Sequence, residues 1–545
     1  MATYLLSYVK KKGCSVNTEI SNRATQTDLS DLHAGWILGF FWAVAQFACL
    51  FPIAVVAAPS NEDRPNILIV LVDDLGYGDL GCYGHPIMKT PHLDRFAQEG
   101  VRMTDMHSAA TVCSPARAAL LTGRNPYRSG FYNIAGFFGT TLQREEVTLP
   151  QLLKEVGYET AFFGKWHLSR LESETELSVN ETGFDYSLAT SVNAFGTGPR
   201  NPEKFIRNGQ PTGALEGWYI DIISDEAMEW ISNKRDDSKP FFMVLSSHEP
   251  HTPIDPPASF KAMYPDLTEE QVLALGHYGG VTRPDQIDLE NLREYYGTVS
   301  QLDATFGRLM EFLEEEDLAA NTLVVFTSDN GPEYPVTFEE SKGAWEDPLR
   351  DKCYGSPGTL RGMKRFPYEG GHRVPGIVRW PTRIPAGTVS DKLFNGTDFL
   401  PTLCALAGSP LPEDRNIDGV DAFNAFLGRE YLRPIPAAWF FLLDASHMPG
   451  MAQMAMRVEE YVLVGKFSPR MSENLPAEAG TFPVVDWLKT TVPVEFELFD
   501  IQQDHAQQVD LSHSEREQLL HLIPQMQRLW LDIRDEGPWW GRLSE

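Results

Sequence analysis

Positive charge is scarce in this chain. Across 545 residues, 46 Lys and Arg stand against 75 Asp and Glu, a formal net charge of −29. Nucleic acid and anionic membranes are held by basic surfaces, so neither is expected as the main partner. A small anionic group in a locally basic pocket remains open. Cysteine is scarce as well. There are six, and none stands in a CxxC spacing. A zinc ribbon and a disulfide scaffold are therefore not expected, although a single bridge would still be compatible with the count. Internal repeats and low-complexity tracts are lacking too, which sets repeat arrays aside.

The ordinary features come next. The chain is 42% hydrophobic and 22% charged, as in a soluble globular protein. Its length suggests roughly two to four domains, or one large α/β domain with an appendage. One long uncharged run, Ala34 to Ala58, ends on Val56-Ala57-Ala58 and is followed by polar residues. It reads either as a signal peptide with a small-residue cleavage site or as an uncleaved anchor, since about 20 residues span a bilayer. The residues before it hold Lys10, Lys11 and Lys12 but also Asp28 and Asp31, which is unusual for a signal sequence. Residues 1–58 are thus expected to be a leader, and the mature protein to be exported, periplasmic or secreted, or anchored through residues 34–58.

Beyond the leader, apolar strands alternate with helices. "PNILIVLVDDLG" reads as a strand buried on both faces with acids at its carboxyl end. "ETAFFGKWH", "PFFMVLSSHEPH" and "NTLVVFTSDNG" read as further strands. "HLDRFAQEG", "TLPQLLKEVGY", "YIDIISDEAMEWISNK" and "LREYYGTVSQLDATFGRLMEFLEEEDL" read as helices. This alternation predicts a mostly parallel sheet covered on both faces, with a site beyond the carboxyl ends of its strands. Those ends carry Asp73-Asp74, Lys165 to His167, His248 to His251, and Asp329-Asn330. From about residue 416, short strands and a terminal helix predict a smaller α+β part. The expected division is 59–415 for the catalytic domain and 416–545 for the C-terminal subdomain. The polar segment Tyr334 to Leu360 and the stretch Ser169 to Pro211 are expected to shape the rim of the site.

Several residues carry chemistry. Asp73, Asp74, Asp329 and Asn330 offer three carboxylates and an amide oxygen. These are hard ligands suited to Ca²⁺, or to Mg²⁺ as the lesser choice, rather than to zinc. Cys113 stands before Pro115, which suits a first helical turn, so the thiol lies near a helix N-terminus where an anion is favoured. Arg117 falls on the same helix face four residues on. Lys165 and His167 alternate along a strand and are expected to share one face. His248 and His251 are expected just past another strand. Lys364 lies in the Gly-flanked loop "GMKRFPYEGG".

"CSPARAALLTG" and "GYETAFFGKWH" resemble the two signatures of the formylglycine-dependent type I sulfatases, with arylsulfatase A and N-acetylgalactosamine-6-sulfatase nearest in look. The resemblance extends over "PNILIVLVDDLGYGDLGCYG", "SDNGPE" and "YEGGHRVPGIVRWP", roughly Pro65 to Gly408. It implies an alkaline-phosphatase-like α/β/α sandwich with a smaller C-terminal antiparallel sheet. It also implies that a separate modifying enzyme oxidises Cys113 to Cα-formylglycine. Asp73, Asp74, Asp329 and Asn330 match the family's Ca²⁺ ligands, completed by residue 113. Arg117, Lys165, His167, His251 and Lys364 match its remaining active-site positions. His251 is preferred to His248 because it stands in a His-x-Pro context. The family's sulfate-binding serine has no clear match; Ser187, Ser191 and Asn193 are the alternatives. Phe163 stands where a smaller residue is usual.

The implied reaction is hydrolysis of a sulfate monoester, of a carbohydrate at the family level. A hydrated aldehyde attacks sulfur, His251 protonates the departing alcohol, and His167 deprotonates the second hydroxyl to release sulfate. Hydrolysis of a phosphate or phosphonate monoester at the same site, and binding of a sulfated glycan without catalysis, are the competing expectations. The sequons at Asn180 and Asn395 would matter only in a eukaryotic secretory pathway.

Overall fold

Eight consecutive buried residues, Asn66–Asp73, form the first strand, β1. Its neighbours in a strand point to opposite faces. Leu68, Val70 and Val72 therefore enter one core, while Ile67, Ile69 and Leu71 enter another. A strand apolar on both faces belongs in a sheet covered on both sides. The computed structural model describes residues 64–136, 140–192, 198–274, 287–333, 353–442, 452–468 and 481–539, and such a sheet is its centre. The expected leader, residues 1–58, lies outside the described residues.

The later strands are β2 (Val101–Met103), β3 (Met106–His107), β4 (Glu159–Lys165), β5 (Tyr186–Thr190), β6 (Ile206–Arg207), β7 (Gln210–Pro211), β8 (Phe241–Pro250), β9 (Thr322–Ser328), β10 (Gly376–Arg379), β11 (Thr388–Ser390), β12 (Phe394–Asn395), β13 (Ala437–Phe441), β14 (Gln453–Val458), β15 (Tyr461–Ser468) and β16 (Val492–Asp500). Ten form the central sheet in the order β11-β2-β10-β9-β1-β8-β4-β5-β6-β7. The middle five, β9, β1, β8, β4 and β5, run parallel. Antiparallel pairing enters only toward the edges, through β10 on one side and β6 and β7 on the other.

Helices cover both faces. Those used below are α1 (Pro91–Glu99), α2 (Cys113–Thr122), α3 (Leu149–Glu155), α4 (Tyr219–Asn233), α5 (Leu289–Glu315), α6 (Phe399–Ala407) and α7 (Arg516–Glu536). Phe96, Ile223, Trp230, Tyr296 and Phe306 of α1, α4 and α5 pack on one face. Leu120, Leu121, Leu153, Phe399 and Leu403 of α2, α3 and α6 pack on the other. Each fully buried side chain of this size contributes about 1.5–3 kcal/mol relative to exposure. A helix that returns the chain to a parallel strand starts at the carboxyl edge of the sheet. The N-termini of α2 and α4 therefore lie at that edge.

The expected smaller antiparallel sheet is present as β13-β14-β15-β16. Met454, Met456 and Leu463 pack under Met526 and Trp530 of α7, and this cluster takes in Val112, Tyr127 and Tyr132 from beside α2. Residues 59–545 form one compact unit. The fold is thus a mostly parallel α/β/α sandwich with a separate four-stranded antiparallel sheet. Among the described residues, no helix is long and apolar enough to cross a membrane. The described cysteines, Cys82, Cys113, Cys353 and Cys404, form no disulfide.

Candidate active site

Acids come first, at two adjacent strand ends. β1 ends on Asp73, and Asp74 leaves it with φ 63°, in the left-handed region. β9 ends on Ser328 and hands on Asp329 and Asn330. Because β1 and β9 pair in register as far as Val72 and Ser328, these four side chains meet. The Asp74 N–H donates to Asp329 Oδ1 at 3.3 Å, and Asn330 Nδ2 donates to Asp74 Oδ1 at 2.6 Å. All four are buried.

Cys113 is the first residue of α2, after an extended Val112. Its sulfur and carboxylate oxygens of Asp73 and Asp329 lie within 4.8 Å of one another. Arg117, one turn on, reaches into the same space. Its Nε donates to Asp329 Oδ2 at 2.9 Å, and Nη1 donates to the Lys165 carbonyl at 2.7 Å and to the Ser246 hydroxyl. Lys165 closes the group through an ion pair with Asp73. Lys364 Nζ stands 2.7 Å from Asp74 Oδ1 and 3.5 Å from Glu333 Oε2.

The two histidine positions differ from the simple expectation. β4 ends at Lys165, and His167 has φ 57°. The left-handed residue breaks the pleat, so Lys165 and His167 do not share a strand face. His167 instead lies beside the end of β5, its N–H donating to the Ser191 carbonyl at 3.0 Å. β8 in turn runs on to Pro250, so His248 lies inside the strand, fully buried, with the Tyr219 ring 5.2 Å away edge-on. Only His251 follows the strand. Its Nδ1 pairs with the Thr252 carbonyl at 2.5 Å, and its Nε2 stands 3.6 Å from Asp74 Oδ2.

Burial and charge set the protonation states. Burial raises Asp73, but Lys165, His251 and Arg117 outweigh it and hold the carboxyl well below the usual range. Asp329 is pushed up to about 7 by burial and then by the Asp73 charge, against Arg117. Burial, then Lys165 and Arg117, holds His167 well below its ordinary value, so its ring is neutral near pH 7. Burial also lowers His251, against the Asp74 carboxylate. Burial opposes the charge on Lys364, but Asp74 outweighs it and keeps the ammonium protonated. Burial raises the Cys113 thiol despite Lys165 and Lys364.

The acidic group fits a hard cation. Asp73 Oδ1 and Asn330 Oδ1 are buried and accept no hydrogen bond. Unpartnered buried oxygens are costly, and here they stand beside the Asp74 and Asp329 carboxylates. The donors are oxygens, as Ca²⁺ or Mg²⁺ requires.

The sulfate-contact alternatives separate. Ser187 lies early in β5, and its hydroxyl donates to Asn180 Oδ1 at 2.9 Å. Ser191 stands beside His167, but its hydroxyl donates to Glu172 Oε2 at 2.6 Å and accepts the Leu171 N–H at 2.8 Å. Asn193 lies outside the described residues, as do residues 334–352 of the expected rim. The Asn395 amide is buried and caps its own turn. Two residues of the site escaped the sequence reading. Glu333 and Arg365 form a buried ion pair beside Lys364. The one hint was the glutamate of "SDNGPE", three residues past Asn330.

The chain is similar to several known proteins. A family model described as sulfatase matches residues 65–409. A second, described as the C-terminal part of N-sulphoglucosamine sulphohydrolase, matches residues 362–468. The chain is 33% identical to N-acetylgalactosamine-6-sulfatase of Canis lupus familiaris, covering 70% of each chain. It is 34% identical to arylsulfatase A of Homo sapiens, covering 69% of this chain and 70% of the relative. Among solved structures, Ps i-CgsB in complex with k-i-k-neocarrahexaose superposes with a TM-score of 0.67 at 24% identity. That match covers 88% of this chain and 95% of the other.

Proposed function

The chain belongs to the sulfatase family of sulfuric ester hydrolases, and from that premise we propose that it hydrolyses sulfate monoesters of a carbohydrate, using a formylglycine formed from Cys113 and a bound Ca²⁺. The convergence of Cys113, Asp73 and Asp329 at the N-terminus of α2, ringed by Arg117, Lys165 and Lys364, carries the reading. A working thiol is disfavoured, because burial raises Cys113 away from the thiolate that nucleophilic sulfur chemistry needs. A formylglycine hydrate at residue 113 would instead supply one hydroxyl for attack on sulfur and a second whose deprotonation would expel sulfate.

Asp73, Asp74, Asp329 and Asn330, with residue 113, would hold Ca²⁺, which supplies positive charge beside the sulfuryl oxygens. Three carboxylates face three side-chain cations here, so a dication would leave the pocket positive and suited to an anionic ester. Arg117, Lys165 and Lys364 neutralise charge as the sulfur–oxygen bond breaks. Lys364, kept as the ammonium, and His251 Nε2, once the ring is protonated, flank Asp74 and deliver a proton to the departing alcohol. His167, held neutral, takes the proton whose loss releases sulfate.

The carbohydrate assignment rests on the names of the relatives, N-acetylgalactosamine-6-sulfatase among them. On this reading residues 59–415 carry the chemistry and residues 416–545 form the smaller part. The protein is exported, with residues 34–58 as its signal or anchor, and meets a formylglycine-generating enzyme before it folds.

The test has two arms. Mass spectrometry of the peptide spanning residue 113, from a host that modifies sulfatases, is expected to show the aldehyde; a thiol mass in active enzyme sinks the nucleophile. Matched aryl sulfate and aryl phosphate, then a panel of sulfated mono- and disaccharides, test the substrate. Faster release of phosphate than of sulfate overturns the assignment.

A further inference from the structure

Beside Lys364 stands a charged pair that the reaction above does not use. Glu333 and Arg365 are 5% and 6% exposed, and the two form a bidentate ion pair. The second leg, Arg365 Nη2 to Glu333 Oε2, is 2.8 Å long. That same Oε2 lies 3.5 Å from Lys364 Nζ. Glu333 thus sits between two cations and is taken up by the fork of the guanidinium, which matches a carboxylate better than an ammonium does.

The backbone points to the same residue. Arg365 has φ 78°, a conformation that favours glycine. Its N–H donates to the Thr111 carbonyl at 2.9 Å, two residues before Cys113, while the Lys364 N–H donates to the Pro332 carbonyl at 2.9 Å. A long side chain is therefore held where a glycine would fit more easily. Its guanidinium pairs with the acid that, among the described residues, competes with Asp74 for Lys364.

We propose that Arg365 is a positioning residue: it captures Glu333, so that the Lys364 ammonium stays on Asp74 and faces the reacting group. Without Arg365, Glu333 becomes a buried carboxylate lacking its fork, and among the described residues the other cation paired with it is Lys364. The ammonium is then drawn off Asp74 and away from the sulfuryl oxygens. The inference rests on the role given to Lys364 above.

Arg365→Gly suits the backbone and tests the side chain alone. The variant is expected to melt lower, because a buried carboxylate loses its partner, while kcat per folded enzyme on an aryl sulfate falls about tenfold and KM changes less, as for a group acting on charge that develops in the transition state. Adding Glu333→Gln removes the competing acid and is expected to restore most of kcat, which a merely structural role would not do. An Arg365→Gly enzyme with full kcat overturns the proposal. So does a double variant no faster than the single one. Lys364→Ala is measured beside them: if it keeps full kcat, the role of Lys364 falls and the positioning role with it, whereas a slow Lys364→Ala with an unaffected Arg365→Gly sinks only the latter.

Discussion

Gly164 shows how tightly single residues are fixed around the site. It has φ 107°, and a Cβ there would stand 1.9 Å from the Ser246 carbonyl oxygen. Gly164 pairs with Ser246 in the register of β4 against β8. The neighbours of that contact, the Lys165 carbonyl and the Ser246 hydroxyl, are what Arg117 holds. Gly164→Ala is therefore expected to cost on the order of 3 kcal/mol, from left-handed strain together with overpacking. The folded remainder should also lose activity as Arg117 shifts. Urea unfolding with activity normalised to folded protein checks it, and an unchanged midpoint refutes it. At this scale the sequence was informative where residues sit at strand ends. Asp73, Asp74, Asp329 and Asn330 could be read because consecutive acids closing an apolar strand have no packing use. Glu333 and Arg365 could not, because an acid after Gly-Pro and an arginine after Lys364 look like solvated loop residues until the fold buries both. His167 was read as a site residue, but its conformation was not, since the end of the pleat depends on how β5 leads the chain away.

Elements were legible in proportion to their burial. β1, β8 and β9 are apolar on both faces and announced a covered parallel sheet. β6 and β7 are two residues each, with Ile206 alone buried, and left no periodic signal. α5 was legible from its length and amphipathic spacing, and its start has a local cause. The Asp288 side chain accepts the Glu290 and Asn291 N–H groups at 2.9 and 3.1 Å. Asp288→Ala leaves those donors without a cap and is expected to lower stability by about 1 kcal/mol. The buried face of α5 packs on the core layer of α1 and α4 rather than on the catalytic residues. Its kcat and KM should accordingly match wild type. A denaturant series checks the first expectation and steady-state rates the second. A loss of rate at unchanged stability would show that the start of α5 reaches the site. The small sheet was read from short apolar runs after residue 416, but its attachment was not. That attachment depends on contacts no local pattern contains, such as the Trp439 indole N–H donating to the Ser108 carbonyl at 2.7 Å.

The whole molecule poses an electrostatic question that neither residues nor elements answer. Its formal charge is −29, yet the pocket is built around Arg117, Lys165 and Lys364 and acts on an anion. The two fields differ in reach. Surface acids act over the screening length, about 30 Å at 0.01 M salt but about 8 Å at 0.15 M. Buried pairs are screened much less. At low salt an approaching polyanion therefore meets repulsion before it meets the pocket, and the repulsion grows with the number of its charges. A small monosulfated ester is repelled only weakly. Raising salt from about 0.01 to 0.15 M is thus expected to increase kcat/KM severalfold for a multiply sulfated oligosaccharide. For a monosulfated aryl ester it should leave kcat/KM nearly unchanged or slightly lower. The effect should sit in kcat/KM and not in kcat, because it acts on encounter rather than on the bound state. Rates measured for both substrates across one salt series, with calcium held constant, decide the matter. If the oligosaccharide is instead slowed by salt, the rim of the site must be basic enough to reverse the field of the whole surface, and attraction rather than repulsion would govern how a polyanion arrives.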